Sequence, residues 1–167
     1  MPVRDDAISI WNAGIAAVDS AKCVAQQIHV QQQQLWIAET RVPRSSTSRI
    51  EVIGAGKAAA AMARAVESCW QGPLTGTVVT ARGHSVPCAS VEVIESAHPV
   101  PAEAGRLAAE RLLARVHELG PDDLVLCLVS GGGSALLPLP ADGLTLETKQ
   151  AITRALADKG RTVRIPV

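Results

Sequence analysis

Two glycine-rich turns hold the residues of this 167-residue chain that are best suited to bind an anion. Gly54-Ala-Gly56 is followed at once by Lys57, and Ser130-Gly-Gly-Gly-Ser134 follows the apolar run at 124–129. Consecutive glycines let several backbone N–H groups point into one concavity, and a lysine adds a positive charge on a flexible stem. These two turns therefore predict a site for a phosphate or a carboxylate. The predicted ligand-binding residues are Gly54, Gly56, Lys57, Ser130, Gly131, Gly132, Gly133 and Ser134.

The stretch at 130–134 has two other interpretations. A serine nucleophile is disfavoured, because neither Ser130 nor Ser134 has the G-x-S-x-G surroundings of a nucleophile elbow. A plain turn without a ligand stays open, although three adjacent glycines cost conformational entropy that a plain turn does not require. An anion-binding loop is the favoured interpretation.

The turn at 54–59 is not a P-loop, because position 51 is Glu and position 58 is Ala. It fits the G-x-G-x-x-A pattern of dinucleotide-binding turns, in which the following helix offers free N–H groups to an anion. That pattern usually has an acidic residue about 20 positions further on. No Asp or Glu lies between Ser68 and Val91, and Arg82 stands near that place instead. An arginine there suits a phosphate better than a ribose hydroxyl.

Histidines follow two further predicted strands, His84 in Arg82-Gly-His84 and His98 in Ser96-Ala-His-Pro99. His98 is a candidate substrate contact, and hydrogen bonding to a backbone carbonyl is an equally open role. No metal site is predicted, because Cys23, Cys69, Cys88 and Cys127 lack C-x-x-C spacing and nearby histidine pairs. We interpret them as thiols in a reducing cytoplasm.

Strands and helices must alternate to position these turns. The apolar patterns predict helices over 5–17, 20–28, 57–70, 101–119 and 145–159, and strands over 35–40, 50–53, 76–80, 91–95 and 124–129. This alternation predicts an α/β fold, incomplete in this chain, with a largely parallel sheet and helices on both faces, a Rossmann-like three-layer sandwich. Each candidate turn follows the carboxyl end of a strand, where ligands bind in such sheets.

The pattern leaves one detail of that sheet open and predicts another. The ten residues at 81–90 leave little room for a helical crossover, so the strand at 91–95 is either antiparallel or reached by an irregular loop. The strand at 124–129 does not alternate in polarity, which predicts that it is buried on both faces.

Composition limits the classes of partner. Hydrophobic residues make up 47% of the chain, charged residues 19%, and the formal net charge is zero. A net charge of zero gives no support to a nucleic acid or an anionic membrane as partner, because proteins that bind either usually have an excess of basic residues. No run is long enough to cross a bilayer, and the N-terminal residues do not have the order of a signal peptide, so we expect a cytoplasmic protein.

Three stretches carry a resemblance to a known family. They are VIGAGKAAAAMARAVE, GHSVPCASVEVIESAHPVPAEAG and DDLVLCLVSGGGSALLPLPADGLTLETKQAITRAL. Together they resemble the N-terminal part of the type II glycerate kinases (glycerate 2-kinases, MOFRL-type), of which some are labelled hydroxypyruvate reductase. The resemblance implies phosphoryl transfer from ATP to D-glycerate with Mg²⁺, giving 2-phosphoglycerate, in a cleft between two α/β domains. It makes Lys57 the candidate catalytic residue and 130–134 a cradle for a phosphate or for the substrate carboxylate.

The resemblance covers about 5–156 and is lost from about Ala157. We expect a truncated N-terminal α/β domain at 1–156 and a divergent tail at 157–167. Phosphoryl transfer needs a carboxylate near the transferred group to hold Mg²⁺ or to orient the hydroxyl. The acidic residues of this chain are poorly placed for that role. Glu95 is late in a strand, Asp142 lies on a loop, and Asp122 and Asp123 precede their strand and so lie at the wrong edge. The metal ligands and any general base are therefore expected outside this chain, which alone should lack kinase activity. The alternatives are an NAD(P)H-dependent hydroxypyruvate reductase and a non-catalytic domain that needs a separate C-terminal polypeptide; a homo-oligomer is also open.

Overall fold

Helices and strands alternate along most of the chain, as the apolar pattern predicts. The structure, a computed structural model, describes residues 2–31, 34–42 and 49–158; the end of the chain from 159, with most of the expected tail, lies outside the described residues. The elements are α1 (Pro2–Ala17), α2 (Ser20–Gln27), β1 (Ile28–Gln31), β2 (Gln34–Ile37), β3 (Thr40–Val42), β4 (Ile50–Ala55), α3 (Ala59–Cys69), β5 (Leu74–Ala81), β6 (Val91–Ser96), α4 (Glu103–His117), β7 (Leu124–Val129), α5 (Gly133–Leu136) and α6 (Leu146–Asp158).

A four-stranded parallel sheet in the order β6-β5-β4-β7 positions the predicted site. Helices cover both faces. On one face α3 packs against the sheet around Val52, Val66 and Val78, with α2 packed on α3, and on the other α4 and α5 pack around Val79 and Leu136. A separate antiparallel sheet of β1, β2 and β3 extends the first core. The predicted α/β sandwich is thus confirmed.

The connection between β5 and β6 is an irregular loop, and the two strands are parallel. The carboxylate of Glu67 on α3 holds the end of this loop. It accepts hydrogen bonds from the backbone N–H groups of Ala89 at 2.8 Å, Ser90 at 2.6 Å and Val91 at 2.9 Å. Because a side chain satisfies these amides, the nine residues at 82–90 connect parallel strands without a helix.

The expectation that β7 is buried on both faces is wrong. β7 pairs with β4 alone among the described strands, so it is an edge strand. Its residues alternate: Leu128 is buried, whereas Cys127 is exposed and Val129 is 69% exposed. The cause is the position of α4, which packs on β6 and β5 and leaves β7 uncovered on that face.

Side chains cap two helices. Asp19 Oδ1 accepts from the Lys22 N–H at 2.8 Å at the start of α2, and Thr145 Oγ1 accepts from the Thr148 N–H at 3.2 Å at the start of α6.

Helix α1 is present, but its apolar side chains are exposed, Trp11 to 70%. No helix within the described ranges is long and apolar enough to span a membrane.

One carboxylate is buried in the sheet, at the edge opposite the predicted site. The Glu51 side chain is 2% exposed, and it accepts hydrogen bonds from the Arg115 guanidinium of α4 and from Thr75 Oγ1. Burial alone would raise the pKa of the Glu51 carboxyl, but the Arg115 and Thr75 hydrogen bonds outweigh burial and lower it. The half-exposed Arg115 and the buried Glu51 thus tie the C-terminal end of α4 to β4.

Candidate functional site

The GAGK turn (residues 54–57) and the glycine-rich loop (residues 130–134) are hydrogen-bonded to each other. The Ser130 N–H donates to the Ala55 carbonyl at 3.1 Å, and the Lys57 N–H donates to the Gly131 carbonyl at 3.0 Å. The Ala58 N–H donates to the Ser130 hydroxyl at 3.0 Å. The two motifs, distant in sequence, thus form one structural unit at the carboxyl edge of β4 and β7.

The glycines of the GAGK turn allow this close approach. A Cβ atom on Gly56, whose φ is +140°, would lie 2.1 Å from the Ser130 hydroxyl oxygen. A Cβ atom on Gly54 would lie 2.2 Å from the Leu128 carbonyl oxygen. A side chain at position 56 would therefore push the glycine-rich loop away, and one at position 54 would push β7 away. This packing gives both glycines a structural role, and their contact with a ligand stays a prediction.

The backbone amides expected to be free at the start of α3 are occupied. Those of Lys57 and Ala58 bind the glycine-rich loop, and the Ala59 N–H donates to the Gly56 carbonyl at 3.1 Å. The turn therefore offers a ligand the exposed side chain of Lys57 rather than its amides. The Thr80 hydroxyl, which sequence reasoning missed, donates to the Lys57 carbonyl at 3.3 Å and so holds the turn on β5.

The glycine-rich loop presents amides without partners. Within the described part of the chain, the backbone N–H groups of Gly131, Gly132, Gly133 and Ser134 donate to no acceptor. Gly132 has φ +92°, a left-handed conformation that turns successive N–H groups toward one side. This geometry is that of the predicted anion nest.

His98 lies directly beside this nest. A Cβ atom on Gly132 would lie 2.9 Å from His98 Cδ2 and 3.0 Å from Nε2, so the imidazole packs on the loop. Partial burial lowers the pKa of His98, and the charges of Lys57 and His84 lower it further. The imidazole is therefore mainly neutral at pH 7. The structure brings Lys57, His98 and the loop together, as the sequence predicts.

Carboxylates are scarce around this unit. Glu95 accepts from the Gly83 N–H at 3.0 Å, and Asp142 is exposed on its loop. Asp123 lies at the opposite edge, where it accepts from the Arg49 and Gly120 N–H groups. Among the described residues, no three His, Cys, Asp or Glu side chains form a group that could hold a metal ion. The Mg²⁺ that the resemblance implies is thus not matched by a ligand set from these residues.

An apolar groove of about 490 Å³ adjoins the glycine-rich loop on the α4 face of the sheet. We call it the β7 groove. Sequence reasoning missed it, because it arises from the uncovered face of β7. Its lining comes from β4, α4, β7 and the segment after β7, and consists of Ile53, Gly54, Ala55, Ala109, Leu112, Leu113, Val116, Cys127, Val129, Ser130, Gly133, Ser134, Leu137 and Leu139.

We expect Ser130→Ala to lower the free energy of unfolding by about 1–3 kcal/mol, because the half-buried Ala58 N–H loses its acceptor. The exposed hydroxyl of Ser134 has no such partner in the described residues, so Ser134→Ala is the matched control and should leave stability unchanged. Urea unfolding of the two variants measures the difference. Equal stabilities would contradict a structural role for the Ser130 hydroxyl.

Comparison with known proteins places these features in a family. Residues 6–165 match the family DUF4147, described as a domain of unknown function. An Agrobacterium vitis protein provisionally named hydroxypyruvate reductase is 49% identical over 155 residues, 92% of this chain and 32% of that protein. Glycerate 2-kinase from Pyrococcus horikoshii is 31% identical over 163 residues, 98% of this chain and 36% of the kinase.

A structural comparison also finds a glycerate kinase. The crystal structure of glycerate kinase from Thermotoga maritima matches with a TM-score of 0.75 and 34% identity, over 96% of this chain and 36% of that one. The chain spans about a third of the length of the curated relatives it matches.

Proposed function

Since this chain belongs to the DUF4147 family and has glycerate 2-kinases among its relatives, we propose that it supplies the anion-binding rim of a glycerate 2-kinase. The proposed reaction is ATP-dependent phosphorylation of D-glycerate to 2-phosphoglycerate. The observation that carries the proposal is the set of unpaired amides at 131–134 beside Lys57 and His98. We further propose that 1–156 act as the N-terminal α/β domain of such an enzyme, in the cytoplasm.

The chemistry of phosphoryl transfer suits these groups. Catalysis consists mainly of positioning and of neutralising charge on phosphate oxygens. The amides would hold a phosphate of ATP or the carboxylate of glycerate, and Lys57 would neutralise charge as it develops. His98, neutral at pH 7, could accept a hydrogen bond from a substrate hydroxyl. No step is assigned to Mg²⁺, because its ligands are not found among the described residues.

We propose that the chain alone does not turn over glycerate. Its rim offers anion-binding groups, but Glu95, near the end of the neighbouring strand β6, already accepts the Gly83 N–H. A general base and metal ligands would have to come from a further part of the enzyme, since the curated relatives are about three times as long.

Two measurements on the purified chain test these statements separately. Titration with inorganic phosphate and with D-glycerate should shift the amide NMR signals of 131–134, whereas signals of the remote helix α2 should not move. An assay with D-glycerate and Mg-ATP should show no turnover. If the loop signals stay unchanged with both anions, the binding proposal fails. Turnover by the isolated chain would refute the proposal that it is inactive alone.

A reductase is the second candidate, supported by the name of the Agrobacterium vitis relative. The occupied amides of Lys57 and Ala58 argue against it, because a dinucleotide pyrophosphate would need N–H groups at the start of α3. Oxidation of NADPH or NADH in the presence of hydroxypyruvate would favour the reductase over the kinase.

A further inference from the structure

A buried glycine in the first turn of α4 lies where this helix meets the segment that follows the glycine-rich loop. Gly105 is within the helix, and its N–H donates to the Ala102 carbonyl at 3.1 Å. Alanine adopts a helical backbone more favourably than glycine does. The glycine at this position therefore serves a need for space and not a need for an unusual backbone conformation.

Three buried groups occupy the space that a side chain at position 105 would need. A Cβ atom there would lie 2.3 Å from the Leu136 carbonyl oxygen, 2.8 Å from Pro138 Cδ and 2.9 Å from Ser96 Oγ. All three residues are fully buried. The nearest atom belongs to the backbone, so no change of rotamer relieves the contact. We call residues 96, 105, 136 and 138 the Gly105 junction.

On one side the Gly105 junction is tied to the glycine-rich loop. The Leu136 N–H donates to the Gly132 carbonyl at 3.2 Å, and the Leu137 N–H donates to the Gly133 carbonyl at 2.9 Å. The Leu136 side chain lies against the loop, with Cδ1 3.7 Å from the position of a Cβ atom on Gly132. A shift of the Leu136 carbonyl would therefore move Gly132 and Gly133, whose amides belong to the nest.

On the other side the junction is tied to His98. Ser96 is the last residue of β6 and precedes His98 by two positions. Its buried hydroxyl has no hydrogen-bond partner within residues 2–31, 34–42 and 49–158, so packing alone holds it in the junction. The His98 imidazole packs in turn on Gly132. The contacts thus close a ring from Gly105 through Leu136 to the nest, and through Ser96 and His98 back to the nest.

The close approach is confined to the end of α4 that lies at the site. Further along the helix Ala108, Ala109 and Leu112 are also buried, yet each keeps a side chain against its neighbours. Packing of α4 on the sheet therefore does not by itself require a glycine. The requirement arises at position 105, where the helix meets the backbone that leads out of the glycine-rich loop.

From these observations we propose that Gly105 is a positioning residue of the anion-binding rim. By letting α4 contact Leu136 and Ser96 directly, Gly105 sets the place of the nest amides relative to the His98 ring. Gly105 itself touches no ligand. The inference rests on the proposed function for the identity of the ligand, whereas the loop geometry that Gly105 controls is present without one.

Gly105→Ala in the purified chain tests the proposal. Because the added methyl group must displace the Leu136 peptide, the amide NMR signals of 131–134 and the ring signals of His98 should shift in the absence of any ligand. Calorimetric titration should show that inorganic phosphate binds at least ~10-fold more weakly, since a site loosened by about 1 Å loses its preorganised geometry.

Val66→Ala is the control for a loss of stability. Val66 is fully buried on α3, in the core on the other face of the sheet. Both variants should lower the urea midpoint, but Val66→Ala should leave the signals of 131–134 and the phosphate affinity unchanged. If Gly105→Ala also leaves them unchanged, Gly105 serves stability alone and the proposal is wrong.

A milder variant decides the matter if Gly105→Ala does not fold. Pro138→Ala removes the Cδ atom that faces Gly105 and so loosens the same junction without adding bulk to it. It should shift the ligand-free amide signals of 131–134 and the ring signals of His98, and unchanged signals would overturn the proposal. If the unmodified chain binds no phosphate, the proposed function fails, while the ligand-free signals still show whether Gly105 positions the loop.

Discussion

Gly132→Val should weaken the binding of inorganic phosphate to the purified chain by more than ~10-fold, because a β-branched residue resists the left-handed backbone that forms the nest. Gly132 has φ +92°, and a Cβ atom there would lie 2.9 Å from the His98 ring. Valine must therefore move the loop, the imidazole, or both. Isothermal titration calorimetry with phosphate measures the loss.

Gly143→Val is a matched control for backbone strain. Gly143 also has a positive φ, +82°, but nothing lies within 4 Å of a Cβ atom there, and it belongs to the loop before α6. Both variants should lose stability, by about 1–3 kcal/mol for a strained non-glycine residue. The Gly143 variant alone should keep its phosphate affinity. If Gly132→Val binds phosphate normally, the loop is a plain turn.

In a full-length protein, made by fusing this chain in place of the matched third of Pyrococcus horikoshii glycerate 2-kinase, Lys57→Ala should lower kcat with D-glycerate and Mg-ATP by roughly 10²–10³, the usual cost of removing a preorganised charge from developing phosphate charge. The same change should raise the measured pKa of His98, since the charge of Lys57 is one of the causes that lower it. Histidine NMR titration of the isolated chain provides this second readout without requiring activity.

Lys22→Ala on α2 removes a positive charge far from the rim and serves as the control for both measurements. If the Lys57 variant has an unchanged kcat but a shifted His98 pKa, Lys57 lies near the site but is not a catalytic residue. An unchanged pKa would place Lys57 away from His98 altogether.

Most of the fold follows from local patterns in the sequence. The apolar pattern predicts the strands around Val52 and Val78, and Asp19 and Thr145, which cap α2 and α6, are of residue types that favour helix starts. The exposure of β7 could not be predicted, because its apolar residues look the same whether the covering helix is present or not. Apolar residues show that a strand is suited to burial, but whether its faces are buried depends on which other elements pack against them in the tertiary structure.

The candidate site was predictable in its location but not in its internal bonding. Chain order and strand direction bring Lys57, His98 and the glycine-rich loop to one edge, as the rule for parallel sheets requires. Nothing in the sequence indicates that the Ser130 hydroxyl accepts the Ala58 N–H, or that Gly56 is glycine because of Ser130. Such contacts depend on ångström-scale packing between segments more than 70 residues apart.

The hydrogen-bonded union of the GAGK turn and the glycine-rich loop has a consequence for how this family can change during evolution. A side chain at position 56 would collide with the serine at 130, so neither position can drift alone. The two motifs should be inherited and lost as a pair, and relatives that abandon one should show compensating replacements in the other. Damage to the turn would then resemble damage to the predicted ligand site, because the glycines of the turn position the loop that forms that site.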